Sequence, residues 1–224
     1  MIENNFLIDC HPREPEDRTI SPFVETKEGA LFYKQQFLNP QFLNLSSQIL
    51  LFEEQVVVDH YVLLFDRNET LNNYAKTLVE CGGKINEGPG QWPDEFCPEL
   101  ESELFQGLSM YFLSASMPSG VILVLIAPSL PEDPLTKMLK ERGPNIVHHV
   151  AILVDDVSTA VEIWKKKGFF PLSDRPQDDG SLCQWFLSNS VGQIIELISR
   201  RKKSLATFSC NNIMGLRLSE LNRK

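Results

Sequence analysis

Two histidines and one glutamate lie in apolar stretches where an ionisable side chain is costly to bury. Glu196 shares one strand face with Ile194 and Ile198, because side chains alternate between the faces of a strand. His60 and His149 lie in two other apolar runs, VVVDHYVLLF and IVHHVAILVDD. A buried carboxylate needs a cation, a metal ion or a hydrogen-bond donor. If the three runs line one cavity, these residues form the two-histidine, one-carboxylate set that binds non-haem iron(II) and leaves positions for a chelating substrate and dioxygen.

The elements that must position these side chains follow the same order twice. The first set is a strand at 56–65, a helix whose apolar face carries Leu71, Tyr74 and Leu78, a polar loop at 86–97, and strands at 108–115 and 121–126. The second set is the strand that carries His149, a helix with an apolar stripe from Val157 to Trp164, and strands at 182–187 and 193–198. A short helix at 134–142 links the two sets.

This order indicates an internal repeat, in which His60 and His149 hold equivalent positions 89 residues apart. The closing segments GVILVL (120–125) and GQIIEL (192–197) also align. Repeated modules usually bury their apolar faces against each other. A lone strand histidine is usually an ordinary core residue, but equivalent positions in two modules favour a ligand role. His148 points to the opposite face, so we interpret it as structural. The same ligand set also suits zinc.

Composition excludes several classes of protein. The chain has 224 residues, 42% hydrophobic and 23% charged, which is typical of a globular protein. A net charge of -9 argues against nucleic acid or an anionic membrane surface as the main partner. No apolar run is long enough to span a bilayer and no signal peptide precedes the first strand, so we expect a cytoplasmic protein. Five scattered cysteines without a Cys-x-x-Cys pair predict reduced thiols.

Four stretches resemble the vicinal-oxygen-chelate superfamily of glyoxalases, methylmalonyl-CoA epimerases and extradiol dioxygenases. They are most similar to the C-terminal catalytic domain of the hydroxyphenylpyruvate dioxygenase family. The stretches are MPSGVILVLIAPS with the following PLTKMLKERGPNIVHHVAILVDDVSTAV, then DDGSLCQWF, IIELISR and the tail FSCNNIMGLRLSEL.

The resemblance implies an α+β fold in which two βαβββ modules, 56–128 and 145–199, form a curved mixed sheet around a metal cavity. A closing tail at 205–222 would supply a C-terminal helix over that cavity. The catalytic domain would span 56–224, with 1–55 an N-terminal extension that is the remnant of a shortened domain. Small open sheets of this superfamily often pair between subunits, so a homo-oligomer is a further expectation.

The resemblance also implies an activity and its residues. His60, His149 and Glu196 would bind Fe(II), Gln184 would bind the substrate, and Phe186 and Phe208 would form pocket walls. The enzyme would oxidatively decarboxylate and hydroxylate a 2-oxo acid with O2. Gln184 and Phe186 are two residues apart and so share one strand face.

Departures from the family pattern leave alternatives open. One difference favours the dioxygenases: Val124 stands where glyoxalases carry a metal-binding carboxylate, and a valine cannot ligate, so the site would have three protein ligands, as in dioxygenases. Other differences count against the family's substrate. Ile126 and Ala127 stand where the family has a substrate-contacting asparagine, and Ile213 replaces a phenylalanine in the tail. The alternatives are a non-redox metalloenzyme of the glyoxalase or epimerase type, and an inactive homologue that binds a metal or a ligand.

Overall fold

The computed structural model describes residues 23–33, 47–100, 107–144, 146–201 and 208–221. These residues form an α+β fold with twelve strands and four helices. The predicted fold class is thereby confirmed. None of the helices in these ranges is both long and apolar enough to cross a lipid bilayer.

The elements follow the predicted order of two modules. The N-terminal strands and the first module, with the helix that follows it, are β1 (Phe23–Glu25), β2 (Leu31–Tyr33), β3 (Gln48–Leu51), β4 (Glu54–Leu64), α1 (Asn68–Glu80), β5 (Lys84–Trp92), β6 (Met110–Ser116), β7 (Ile122–Pro128) and α2 (Pro134–Arg142). The second module and the last helix are β8 (Ile146–Leu153), α3 (Val157–Lys166), β9 (Phe170–Pro171), β10 (Gln177–Asp178), β11 (Leu182–Ser188), β12 (Ile194–Arg200) and α4 (Cys210–Leu221).

The main sheet reflects the repeat in its strand pairing. Its order is β10-β11-β12-β8-β4-β7-β6-β5, and the two central strands, β4 and β8, are antiparallel. Within each module the first strand runs parallel to the last, an arrangement that requires a crossover connection. His60 pairs with Ile122 in one module, and His149 pairs with Ile194 in the other. The two histidines therefore occupy equivalent places in the sheet.

Side-chain alternation gives this sheet two different faces. On β4, Tyr61 and Leu63 belong to the larger apolar cluster, which includes buried residues of α1 and α3. Val62 and Leu64 belong to a second cluster, which includes residues of α2 and α4. His60 shares the face of Val62 and Leu64, so it points towards α4 and away from α1 and α3.

The predicted polar loop at 86–97 is mostly a strand, and that expectation is wrong. β5 runs through Gly88, Pro89 and Gly90 to the fully buried Trp92, and it pairs with β6. Two register shifts interrupt the ladder in this stretch. Glycine and proline are tolerated here because β5 is an edge strand with register irregularities.

Parts of the predicted N-terminal extension join the sheet. β2 pairs with β8 through Phe32 and Ile146, and β3 pairs with β4. The side chains of Phe23 and Leu31 are buried in the larger cluster. Residues 1–22 and 34–46 of that extension lie outside the described residues, as do 205–207 and 222 of the predicted closing tail. The boundary between extension and domain at residue 55 stays a prediction.

A disulfide bond joins Cys97, in the segment after β5, to Cys210, the first residue of α4. The expectation of reduced thiols is therefore wrong for this pair, while Cys81 and Cys183 are not disulfide-bonded in the described part of the chain. The two bonded cysteines are 113 residues apart in the chain. Sequence spacing carries no signal for such a pair, because only the packing of α4 brings the two sulfurs together.

Replacing Leu78 in α1 by alanine should lower the free energy of unfolding by about 2–5 kcal/mol, because its side chain is fully buried. The neighbouring Val79 is 50% exposed, so Val79→Ala should change stability by no more than about 0.5 kcal/mol. Urea denaturation of both variants measures the difference. Equal effects would show that α1 does not pack as described.

Reducing the Cys97–Cys210 bond should lower the free energy of unfolding by about 2–5 kcal/mol, because the bond closes a long loop. Denaturation with and without a thiol reductant measures this change. The Cys97→Ser/Cys210→Ser double variant is the control, and reductant should not alter its stability. A wild-type protein that is equally insensitive to reductant would contradict the bond.

Candidate metal centre

The three predicted ligands meet on one face of the central sheet. His60 lies on β4, His149 on the adjacent β8, and Glu196 on β12, and each is 2% exposed. The Nε2 atoms of His60 and His149 each lie 3.3 Å from Oε2 of Glu196. Ligand atoms from all three side chains fall within 4.8 Å of one another. Packing of the two modules thus produces one compact cluster of two nitrogens and one oxygen.

The separations between these atoms suit one divalent metal ion. Two ligand atoms about 2.1 Å from an ion, and about 90–110° apart around it, lie roughly 3.0–3.4 Å from each other. The observed 3.3 Å between each nitrogen and Oε2 of Glu196 falls in that range. Two imidazoles and one carboxylate are a donor set for iron(II) or zinc.

A carboxylate held by an arginine orients His60. Val58 pairs with Ile152 and His60 with Ala151, so Asp59 is an extra residue in the β4 ladder. This bulge accompanies a close contact in which Nδ1 of His60 lies 2.8 Å from Oδ1 of Asp59. Arg200 donates to both oxygens of Asp59, at 2.6 and 2.7 Å.

Since a carboxylate only accepts hydrogen bonds, Nδ1 of His60 must donate and thereby leaves Nε2 to face Glu196. Burial alone would raise the pKa of Asp59, but the bonds from His60 and Arg200 outweigh burial and hold this pKa well below its usual range. Such outer partners fix the ring and tautomer of a metal-binding histidine.

His149 is oriented by its neighbour in the chain. Its Nδ1 lies 2.8 Å from Nδ1 of His148, which is fully buried. The second ring nitrogen of His148 lies 3.0 Å from Oε1 of Glu220 on α4. The sequence reading of His148 as structural therefore misses a direct contact with a candidate ligand. Side-chain alternation suggests opposite faces, yet the two imidazole rings are only 5.0 Å apart.

Without a metal ion, one proton is held between His60 and Glu196. Burial opposes a charge on His60, but attraction to Glu196 and the bond to Asp59 outweigh it and raise the pKa of His60 to about 9. Burial lowers the pKa of His149 to about 4, although Glu196 is equally close. Burial would raise the pKa of Glu196, but the two histidines lower it to about 2. Only His60 has a carboxylate on its other nitrogen, so we place the proton there.

The centre lines a small, mostly apolar cavity. Its walls include Val62, Phe112, Val124 and Ile126. Val124, at the position of the glyoxalase carboxylate, and Ile126, at the position of the family's asparagine, therefore both line the cavity. The cavity volume is about 40 Å³. A water molecule needs roughly 10–15 Å³ of such space, so the cavity holds about three waters.

All three predicted substrate-binding residues line this cavity. The ring of Phe208 lies 4.8 Å from that of His60, and the ring of Phe186 lies 5.5 Å from that of His149. Nε2 of Gln184 donates to the backbone oxygen of Asn212, at 3.0 Å, and to the side chain of Gln177, at 2.9 Å. Their role toward a substrate stays a prediction.

One face of α4 closes the cavity with residues that sequence reasoning did not select, namely Asn212, Leu216, Arg217 and Glu220. Asn212, Leu216 and Glu220 recur every four positions, and Arg217 lies three positions before Glu220, which is the helical spacing that could have identified them. Nδ2 of Asn212 is buried without a hydrogen-bond partner in the described part of the chain.

Close approach of α4 to the sheet depends on Gly215. A Cβ atom at this position would lie 1.9 Å from Oε1 of Gln177, whose amide accepts a bond from Gln184. A larger residue would therefore push Gln177 away from Gln184 or lift α4 from the sheet. The glycine thus helps to set how tightly α4 covers the cavity.

Solved structures resemble this chain in fold. A triple mutant of 4-hydroxymandelate synthase from Streptomyces coelicolor matches with a TM-score of 0.53 and 18% identity, over 73% of this chain and 54% of the synthase. Methylmalonyl-CoA epimerase from Mycobacterium tuberculosis matches with a TM-score of 0.45 and 18% identity, over 67% of this chain and 91% of the epimerase. The chain thus spans about half the length of the synthase.

A scan against protein-family models matches no family, and a search of curated proteins finds no match. The structural likeness to the synthase shows the vicinal-oxygen-chelate fold. It confirms the fold-level resemblance that the sequence motifs indicate, and it leaves the reaction to be argued from the site.

Metal binding should release a proton at neutral pH, because an ion must displace the proton that His60 holds below about pH 9. Affinity for Co²⁺ should therefore rise as pH increases towards 9 and level off above it. Calorimetric titration in buffers of different ionisation enthalpy counts the released proton. Asp59→Asn removes one cause of the raised pKa of His60, so this variant should release a smaller fraction of a proton when Co²⁺ binds. A Co²⁺ affinity that does not change with pH would contradict the placement of the proton on His60.

Proposed function

We propose that this chain is a non-haem Fe(II)-dependent dioxygenase that oxidatively decarboxylates and hydroxylates a small 2-oxo acid with O2. The observation that carries the proposal is the convergence of His60, His149 and Glu196 on one side of a buried apolar cavity. Two histidines and one carboxylate are the ligand set of non-haem iron oxygenases, in which the remaining positions accept substrate and dioxygen.

Charge balance supports a monoanionic chelating substrate. A divalent ion with Glu196 as its one anionic ligand leaves a charge of +1 on the ion and its three ligands, and the nearby Asp59–Arg200 pair adds none. The Asp133–Arg217–Glu220 group carries −1, but its charges are paired with one another and no member of it is a candidate ligand. An uncompensated charge in an apolar cavity is costly. The carboxylate of a 2-oxo acid would cancel it, and the adjacent keto oxygen would allow binding through two atoms.

The roles of the protein are to bind, orient and shield. When bound, Fe(II) supplies the electron-transfer chemistry that lets dioxygen react with an organic acid. His60, His149 and Glu196 would hold the ion, and the rings of Phe186 and Phe208 pack against the two histidines and exclude water.

Polar groups across the cavity would orient the far end of the substrate. Gln184 lies there, as the family resemblance implies, and its amide is fixed by Gln177 and Asn212. Asn212 lines the same cavity, and its unpartnered Nδ2 is a donor available to a substrate oxygen. A cavity of about 40 Å³ is too small for a ring-bearing acid, so α4 must move for substrate to enter.

A non-redox metalloenzyme of the epimerase type is the main alternative in this fold. Epimerisation removes and returns a proton, so it needs an acid–base group free to reach the substrate. The carboxylates that line the described cavity are Glu196, which is a candidate ligand, and Glu220, which is bonded to Arg217 and His148. This lining favours the dioxygenase.

Anaerobically prepared protein loaded with Fe(II) should consume O2 and release CO2 when an aryl-substituted 2-oxo acid is added. Glu196→Ala should abolish both, because it removes the anionic ligand. Gln184→Leu should raise KM roughly tenfold if one hydrogen bond to the substrate is lost. Val79→Ala, on the exposed face of α1, is the matched control and should retain activity.

The outcomes separate the three classes of protein. Fe(II)-loaded protein that consumes no O2 across a panel of 2-oxo acids would overturn the dioxygenase. Turnover of a substrate that is independent of O2 would identify a non-redox enzyme. A metal content that is unaffected by His149→Ala would point to a homologue that has lost the site.

A further inference from the structure

A chain of buried polar contacts connects His149 to the helix that covers the cavity. Nδ1 of His149 contacts Nδ1 of His148 at 2.8 Å, and Nε2 of His148 lies 3.0 Å from Oε1 of Glu220 on α4. Arg217, one turn earlier on α4, donates to the other oxygen of Glu220. Arg217 also donates to both oxygens of Asp133, at 2.6 and 2.5 Å. All five side chains are at most 3% exposed.

If His148 is neutral, the polar contacts in this chain have one consistent direction. Glu220, paired with Arg217, is a carboxylate and can only accept, so its 3.0 Å contact with Nε2 of His148 requires the proton to be on Nε2, although this N–H is not aligned for a hydrogen bond here. A neutral imidazole that donates through one nitrogen accepts through the other. Nδ1 of His148 therefore accepts, Nδ1 of His149 donates, and Nε2 of His149 keeps its lone pair towards Glu196.

Asp133 anchors the far end of this chain to a rigid element. Its side chain accepts from the backbone nitrogen of Leu135 at 2.8 Å and so caps the N-terminus of α2. Arg217 is thus held against α2 while Glu220, three residues later, reaches His148. The contacts that dock α4 on the sheet are the same contacts that orient His149.

The other histidine has no such dependence on α4. His60 is oriented by Asp59 of its own strand and Arg200 of β12, both within the sheet. Each candidate histidine ligand is oriented by a carboxylate that an arginine holds. For His60 this carboxylate is in the sheet, whereas for His149 it is on α4 and acts through His148. Opening of α4 would remove Glu220 from His148 and leave the orientation of His60 intact.

We infer that His148 and Glu220 are positioning residues for the metal centre, and that closure of α4 completes the orientation of His149. The inference rests on the metal site of the proposed function. Metal binding and closure of α4 would then be coupled, and each would strengthen the other by the same factor. Metal binding should favour the closed helix, and the closed helix should favour metal binding.

Titration of the full chain with Co²⁺, followed by the visible absorption of the ion, tests this coupling. His148→Leu removes the acceptor for His149 and should weaken Co²⁺ binding about 10–100-fold, as loss of an outer partner typically does. His148→Asn keeps an acceptor oxygen near the position of Nδ1, so its affinity should lie closer to the wild type. Glu220→Gln should also weaken binding, since the neutral amide is a poorer acceptor for His148 than the carboxylate.

Hydrogen exchange at saturating Co²⁺ gives a second measurement that does not depend on affinity. Co²⁺ should slow amide exchange in α4 of the wild type, and this protection should be reduced in His148→Leu. His148→Leu leaves Glu220 paired with Arg217, and Glu220→Gln leaves Arg217 paired with Asp133. Neither variant therefore leaves a buried charge without its partner. Leu78→Ala is the control for lost stability alone and should bind Co²⁺ with unchanged affinity.

The outcomes distinguish this inference from the proposed function. Unchanged Co²⁺ affinity in both His148→Leu and Glu220→Gln would overturn the positioning role while leaving the metal site in place. Wild-type protein that binds no Co²⁺, or binds it equally after Glu196→Ala, would overturn the metal site and the coupling together. Protein that binds Co²⁺ with the expected pattern but does not consume O2 with Fe(II) would overturn only the dioxygenase.

Discussion

The structure depends on how a carboxylate is stabilised in the centre of an apolar sheet. Glu196 is 2% exposed and lies between isoleucines on its strand face. An ionised carboxylate in such surroundings is stable only beside positive charge or several donors. His60 and His149 approach it from two neighbouring strands, at 3.3 Å each. The protonated His60 supplies the positive charge beside Glu196, whereas His149, which presents a lone pair, completes the set only around a metal ion.

Outer contacts extend this polar centre in two directions. His60 is supported by Asp59 and Arg200 within the sheet, whereas His149 is supported through His148 from α4. Buried polar groups of this kind favour one arrangement only when each has its partner. The sheet alone thus determines half of the candidate centre, and the packing of the last helix determines the other half.

The small volume of the cavity connects the polar contacts of α4 to a movement of that helix. A volume of about 40 Å³ under α4 accommodates water but not a substituted 2-oxo acid. The helix is tied down by the Cys97–Cys210 bond at its start and by Arg217 and Glu220 near its end. In the proposed dioxygenase, substrate entry would separate some of these contacts, so substrate binding and the orientation of His149 would belong to the same conformational step.

Sequence alone indicated the repeated order of elements and the three candidate ligands, because strand periodicity and equivalent positions can be read from residue types and spacing. The α+β class with two βαβββ modules came from resemblance to a family. The same resemblance also identified Gln184, Phe186 and Phe208. Only the tertiary structure decided that 86–92 is an edge strand, that Cys97 bonds Cys210, and that His148 reaches Glu220. Each of these depends on a partner far away in the chain. Their energy comes from pairing and burial, which residue type and spacing do not encode.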